Sequence, residues 1–143
     1  MARVDFRLIH GQIVVSWCRS LDVNKIVIID NVVADDEFML QVYASAVPAG
    51  VTVKAYNEEK ALRLWYKNRF GDGKKVLILF KDPETCYRVI KSGINLPAVQ
   101  LGGVPQTQDR KMVKRAVFLG AKEMRRLKEL HDMGVEVTAQ LIP

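Results

Sequence analysis

Arg3-Val4-Asp5-Phe6-Arg7-Leu8-Ile9-His10-Gly11-Gln12 brings two periodicities together within ten residues. Residues 4–9 follow the period of two of a strand, with Val4, Phe6 and Leu8 on one face and Arg3, Asp5 and Arg7 on the other. From residue 12 to 21 the period changes. Ile13, Trp17 and Leu21 recur on one helical face with Val14 and Cys18 beside it, which suits a helix packed on a sheet. A strand that passes through His-Gly into an amphipathic helix is the first half of a βαβ unit.

The same alternation continues along the chain. Short β-branched runs predict strands at 4–9, 25–29, 51–55, 75–80, 98–101, 116–119 and 135–139, the run at 116–119 being the least marked. Between them, 35–47 opens with Asp35, Asp36 and Glu37, where carboxylates favour the positive end of a helix dipole, and closes before Pro48 and Gly50. Asn57 is placed to cap a helix through Lys67, and Asp82 one that begins at Pro83. A further helix follows Gly120 and runs to about Met133, where Gly134 ends it. Strands alternating with helices imply an α/β fold: a single open, mainly parallel twisted sheet with helices on both faces. At 143 residues one core suffices, because a chain of this size buries roughly 68 to 70% of its unfolded surface. Residues 1–143 therefore read as one domain.

Composition excludes several classes. A hydrophobic share of 49% and a charged share of 27% are those of a globular protein. The longest apolar runs, at 26–29 and 76–80, fall far short of the ~20 residues that cross a bilayer. The first residues include Arg3, Asp5 and Arg7 and lack an apolar signal segment, which predicts a cytoplasmic address. Cys18 and Cys86 lie among apolar neighbours without metal-ligand spacing, so buried free thiols are expected, and neither a metal nor a cofactor. The net charge of +6 raises the question of nucleic acid. Four basic and six acidic residues fall in 1–50, ten and five in 51–104, eight and five in 105–143. That excess is diffuse, so nucleic acid is not the expected partner. The basic cluster Lys122, Arg125, Arg126 and Lys128 is interleaved with Glu123, Glu129 and Asp132 and reads as a solvated helix face.

Ligands of open α/β sheets bind beyond the carboxyl ends of the strands, and the first strand exit carries the unusual residues. Three charges on one strand face ask for a network in which Asp5 neutralises Arg3 and Arg7. A lone histidine is more often structural than catalytic, but His10 falls at the mouth of the crevice. There a neutral imidazole, with an ordinary pKa near ~6.5, offers a nucleophilic nitrogen. Unpaired N–H groups at the helix start favour an anion beside it. Gly11 lets that backbone approach, and Gln12 can donate an amide N–H. Arg7 can hold phosphate oxygens bidentately and stabilise a phosphoryl group in flight, while Asp5 can orient Arg7 or hydrogen-bond the imidazole. Gly102 and Gly103, at the exit of the strand 98–101, are second candidates for bringing amides to the same crevice. The stretch 71–75, Gly-Asp-Gly-Lys-Lys, lacks the spacing of a phosphate loop and reads as a turn. His131 reads as a surface helix residue.

The string from Arg3 to Gln12, followed by Trp17, resembles the N-terminal signature of phosphotransferase-system IIB subunits of the mannose/fructose/sorbose family. The similarity extends through the strand that ends at Asp30, the turn Pro48-Ala49-Gly50-Val51 and the Leu-Gly-Gly of 101–103. The resemblance implies that His10 takes phosphate from a phosphohistidine on a IIA protein, through Nδ1, with Arg7 steadying it. The phosphate then passes to a sugar during uptake through the membrane subunits IIC and IID, with which the protein associates peripherally. It leaves room for a homo-oligomer. Phe6 stands where many relatives carry a polar or acidic residue, and the chain stops at Pro143 where relatives often continue. Because the chain begins at the signature strand, a free IIB protein rather than a IIA–IIB fusion is expected. A IIB-like regulatory or binding module that signals through its phosphorylation state is the alternative, and the intact Arg7 and His10-Gly11-Gln12 speak for retained chemistry.

Overall fold

The computed structural model describes residues 1–71 and 74–143. The 71–75 turn reading therefore falls partly outside the described residues, at 72 and 73, as does the side chain of Ile13. The elements follow in the order β1 (Ala2–Val4), α1 (Gly11–Ser20), β2 (Lys25–Ile29), a 3₁₀ turn (Val33–Asp35), α2 (Glu37–Ser45), β3 (Thr52–Tyr56), α3 (Glu58–Asn68), β4 (Val76–Phe80), α4 (Pro83–Ser92), β5 (Ala98–Leu101), β6 (Lys111–Lys114), β7 (Val117–Leu119), α5 (Ala121–Asp132) and β8 (Glu136–Ala139). Helix starts obey local chemistry. Asp36, Asn57 and Asp82 each accept a hydrogen bond from the amide three residues on, at 3.0, 2.7 and 2.7 Å. The helix expected from residue 35 thus starts after Asp36, and Asp35 closes the preceding 3₁₀ turn.

Six strands form one parallel sheet in the order β3-β2-β4-β1-β5-β8. Its two faces carry separate cores. Val14 and Cys18 of α1 and the partly buried Leu40 and Tyr43 of α2 pack with Ile26, Ile28, Leu77 and Leu79 on one face. Ala61 of α3, Ile90 of α4 and Leu130 of α5 pack with Val27, Ile29, Ile78 and Phe80 on the other. Helices thus cover both faces, and each fully buried Ile or Leu contributes roughly 1.5 to 3 kcal/mol. The near-continuous burial of β2 and β4 is what a parallel sheet sandwiched by helices requires. Topology also fixes the crevice. From β1 the chain crosses by α1 to one face, whereas from the neighbouring strand β4 it crosses by α4 to the other. Loops that part to opposite faces leave a gap at the carboxyl ends.

Two strand readings change. The strand expected at 4–9 ends at Val4, because Asp5 interrupts it: its Oδ1 accepts from the Arg7 N–H at 3.1 Å, and its carbonyl accepts from Leu8 N–H at 2.9 Å. That Asx turn carries Leu8 into the left-handed region at φ 56° and cancels the period of two. Val4 therefore joins one core, Leu8 the other, and Phe6 lies in solvent. The run at 116–119 does form a strand, β7, but not in the main sheet. It pairs antiparallel with β6 in a two-stranded ribbon. β6, Lys-Met-Val-Lys, is exposed along its whole length, so no core-facing pattern announces it.

Candidate functional site

The exit of β1 is held from below by a buried guanidinium. Arg3 and Asp5 are 2% and 1% exposed. Arg3 donates to Gln100 Oε1 at 2.5 Å, Gln140 O at 2.6 Å and Leu141 O at 2.8 Å, and lies over the Trp17 ring at 4.9 Å. Trp17 Nε1–H donates to Leu141 O as well, at 3.1 Å. Asp5 sits between the two arginines as expected, with Arg3 Nη2 3.6 Å from Oδ2 and Arg7 Nε 3.6 Å from Oδ1. The ion pairs are thus loose, and neutral acceptors satisfy most of Arg3. Neither Gln100 nor the carbonyls of 140–141 could be assigned to Arg3 from spacing, because they lie 97 to 138 residues away.

This arrangement explains the glycine pair better than phosphate binding does. A Cβ on Gly102 would lie 2.7 Å from Arg3 Cζ and 2.9 Å from Asp5 Oδ2. One on Gly103 would lie 3.1 Å from the Phe6 ring and 3.2 Å from Asp5 Oδ1. The amide expected from Gly102 is already committed to Val4 O at 2.7 Å, and Gly103 O accepts from Phe6 N–H at 2.9 Å. The pair gives the ion network room and joins β5 to the β1 exit.

His10 stands at the N-cap of α1 with extended φ, ψ of −149° and 128°. Gly11, the first helical residue, takes φ 44°, a left-handed conformation at which glycine carries little strain. Gly11 and Gln12 are both exposed. The first amides of α1 lack helical partners, so an anion at this point meets free N–H groups and the positive end of the dipole. Arg7 is 39% exposed and stacks on Phe6 at 5.4 Å, leaving its guanidinium at the rim.

The two nitrogens of the half-buried imidazole differ. Nδ1 lies 3.2 Å from Leu8 O; a carbonyl only accepts, so Nδ1 carries the proton of the neutral ring. Nε2 is buried without a hydrogen bond, and so is Asp5 Oδ2. Both residues border one cavity of about 10 Å³, between the sheet and α1. Burial lowers the His10 pKa below its ordinary value, Asp5 opposes the shift and Arg7 adds to it. The ring is accordingly neutral near pH 7.

The comparisons with known proteins agree over the whole chain. The family described as PTS system sorbose subfamily IIB component matches residues 1–143. The chain belongs to that family. The sorbose-specific EIIB component of Lacticaseibacillus casei is 31% identical over 99% of this chain and 86% of its own length. The mannose-specific EIIAB component of Escherichia coli K12 is 28% identical, and the chain spans 44% of that protein's length. Among solved structures, manxB from Thermoanaerobacter tengcongensis superposes with a TM-score of 0.92 at 38% identity, over 100% of this chain and 86% of that one. The IIBSor domain of the Klebsiella pneumoniae sorbose permease gives 0.90 at 27%, over 99% and 86%. In this IIB chain, Cys18 and Cys86 are buried free thiols and His131 is an exposed helix residue. No helix of the described residues is long and apolar enough to cross a membrane.

Proposed function

We propose that this chain is a phosphocarrier enzyme. It takes a phosphoryl group from phospho-IIA on His10 and delivers it to a sugar at the cytoplasmic side of a permease built from IIC and IID. The observation that carries this reading is His10 itself: a neutral imidazole at the start of α1, in the crevice where the β1 and β4 connections part, one residue from free amides and three from a rim arginine.

The asymmetry of the ring supports a defined order of events. For Nδ1 to attack phosphorus, the proton it shares with Leu8 O must leave, and the ring must end with a proton on Nε2. Asp5 Oδ2 is, like His10 Nε2, buried without a hydrogen bond, and the two residues line one cavity. Asp5 stabilises that tautomer and the positive ring formed when Nδ1 bonds to phosphorus. As the P–N bond to the donor imidazole breaks and the P–Nδ1 bond forms, Arg7 and the amides of Gly11 and Gln12 meet the charge on the equatorial oxygens. In the second half-reaction a sugar hydroxyl attacks phosphorus, the P–Nδ1 bond breaks, and the hydroxyl proton is released. Gly102 and Gly103 act by seating Arg3 and Asp5.

Incubation with phosphoenolpyruvate, the general phosphotransferase proteins and a mannose-family IIA protein is expected to place one acid-labile phosphate on the chain. The signal should be lost in His10→Ala, and NMR of the product should assign it to Nδ1. Full labelling of His10→Ala would defeat the assignment.

A further inference from the structure

The ribbon β6–β7 is built unlike the rest of the molecule. All four residues of β6 are exposed, with Met112 at 64% and Val113 at 55%. Adjacent exposed apolar side chains on an outer strand give a patch that a protein partner can cover. Arg110, Lys111, Lys114 and Arg115 fall within the same six residues. Two of these cations have local roles: Arg110 pairs with Glu123 at 2.6 Å, and Lys114 donates to Ala139 O at 2.5 Å. Lys111 and Arg115 are exposed and have no ion-pair partner among the described residues.

The ribbon is also wired to the His10 loop. Val104, directly after Gly103, donates to Ala116 O at 2.9 Å and accepts from Phe118 N–H at 3.1 Å, while Gly103 O accepts from Phe6 N–H. Phe6, 38% exposed, thus links the ribbon to Arg7 and the phosphorylation loop. On the other side of β1 the rim has the opposite sign. Asp35 ends the 3₁₀ turn before α2, Asp36 caps α2 and Glu37 begins it, while Glu58, paired with Arg88, and Glu59 open α3, after the carboxyl ends of β2 and β3. The charge of the carboxyl rim therefore runs from acidic over β3-β2 to basic beyond β5.

We propose that the β6–β7 ribbon, with Phe6, is the docking surface for the phosphodonor: an acidic protein face that presents a phosphohistidine. This rests on the carrier reading above. Any donor must bring a dianionic group to His10, and a face carrying further carboxylates is drawn to Lys111, Arg115 and Arg7 and turned away from the α2–α3 rim. That sets one orientation. Met112, Val113 and Phe6 supply the apolar contact that charges alone do not. The exposure of β6 then follows, because its packing partner is another protein.

The test uses Lys111→Glu combined with Arg115→Glu, and separately Met112→Ser, in the full chain. The donor is a mannose-family IIA protein that labels the unaltered chain. The charge reversal is expected to lower the second-order rate of transfer from phospho-IIA at least ~10-fold at low salt, with the deficit shrinking as salt rises. Met112→Ser is expected to lower it with little salt dependence. Labelling of His10 by phosphoramidate, a small P–N donor that needs no docking, should stay within about twofold, because neither lysine nor arginine touches the imidazole. Unchanged transfer from phospho-IIA overturns the proposal. So does a defect confined to transfer onto sugar through the membrane subunits, or one confined to binding phosphatidylglycerol vesicles. An equal loss with phosphoramidate also overturns it, since the ribbon would then be scaffold for the site. Failure of both donors to label His10 in the unaltered chain would instead sink the carrier reading.

Discussion

Asp5→Asn separates the structural from the chemical task of the β1 exit. Asp5 is 1% exposed, with one oxygen 3.6 Å from the buried guanidinium of Arg3. Two unit charges at that separation attract by about 4.6 kcal/mol at an effective dielectric near ~20. Removing one partner of a buried pair costs about 3 to 5 kcal/mol. The substitution leaves Arg3 its three bonds to Gln100, Gln140 and Leu141, so the loss should fall near the lower bound. At roughly 2 to 4 °C per kcal/mol, Tm should drop by roughly 10 °C. The chemical effect is distinct. The Arg7 amide needs an oxygen at the Oδ1 position, so the new amide nitrogen takes the place of Oδ2. A donor there favours a lone pair on Nε2 and locks the proton on Nδ1, the tautomer that cannot attack. Transfer from phospho-IIA, measured well below Tm, should slow by roughly 100-fold or more. Urea denaturation gives the first quantity and quenched-flow labelling the second. A stability loss under about 1 kcal/mol would show that neutral acceptors alone satisfy Arg3. Unchanged transfer would show that Asp5 has no part in the tautomer.

Gly102→Ala drives a methyl group against Arg3 Cζ and Asp5 Oδ2, and should cost about 1 to 3 kcal/mol. Gly103→Ala meets the edge of the exposed Phe6 ring and should cost less, a ranking that denaturation midpoints check. Arg7→Lys should leave Tm within about 2 °C, because the guanidinium sits at the rim, yet slow transfer roughly 10- to 100-fold, since an ammonium cannot span two phosphate oxygens. Equal rates would reduce Arg7 to an ornament of the ion network. NMR titration of His10 should give a midpoint below ~6.5, the direction set by burial. Between that midpoint and ~6.5 the unfolded chain binds a proton that the folded chain refuses, so stability falls as pH drops through this window and levels off beneath it. His10→Gln should abolish that step; a midpoint above ~6.5 would contradict the burial argument.

Much of this was legible in the chain itself. Patterns that repeat locally survive folding, so β2, β4 and β5 and the caps at Asn57 and Asp82 stand where propensity and capping chemistry put them. The placement of His10 at a strand-to-helix junction is likewise local, since a few adjacent residues write it. The end of β1 was misread because an Asx turn at Asp5 overrode a perfect alternation; side-chain competition for the backbone leaves no periodic trace. β6 stayed hidden because a strand with no buried face has no hydrophobic period to detect.

By itself the sequence determined the class of fold, through strands and helices that alternate along the chain, and the placing of His10, three residues after Arg7, at the start of a helix, which adjacent residues write. Tertiary structure alone decided that His10 and Asp5 line one cavity, why Gly102 must be glycine, and that a basic ribbon is hydrogen-bonded to the strand that borders the β1 exit. The glycine and the ribbon depend on residues about 100 positions apart, and the cavity beside His10 is lined by Leu77 and Leu79, about 70 positions on; contact across such distances is fixed by packing of the sheet, which no local pattern encodes.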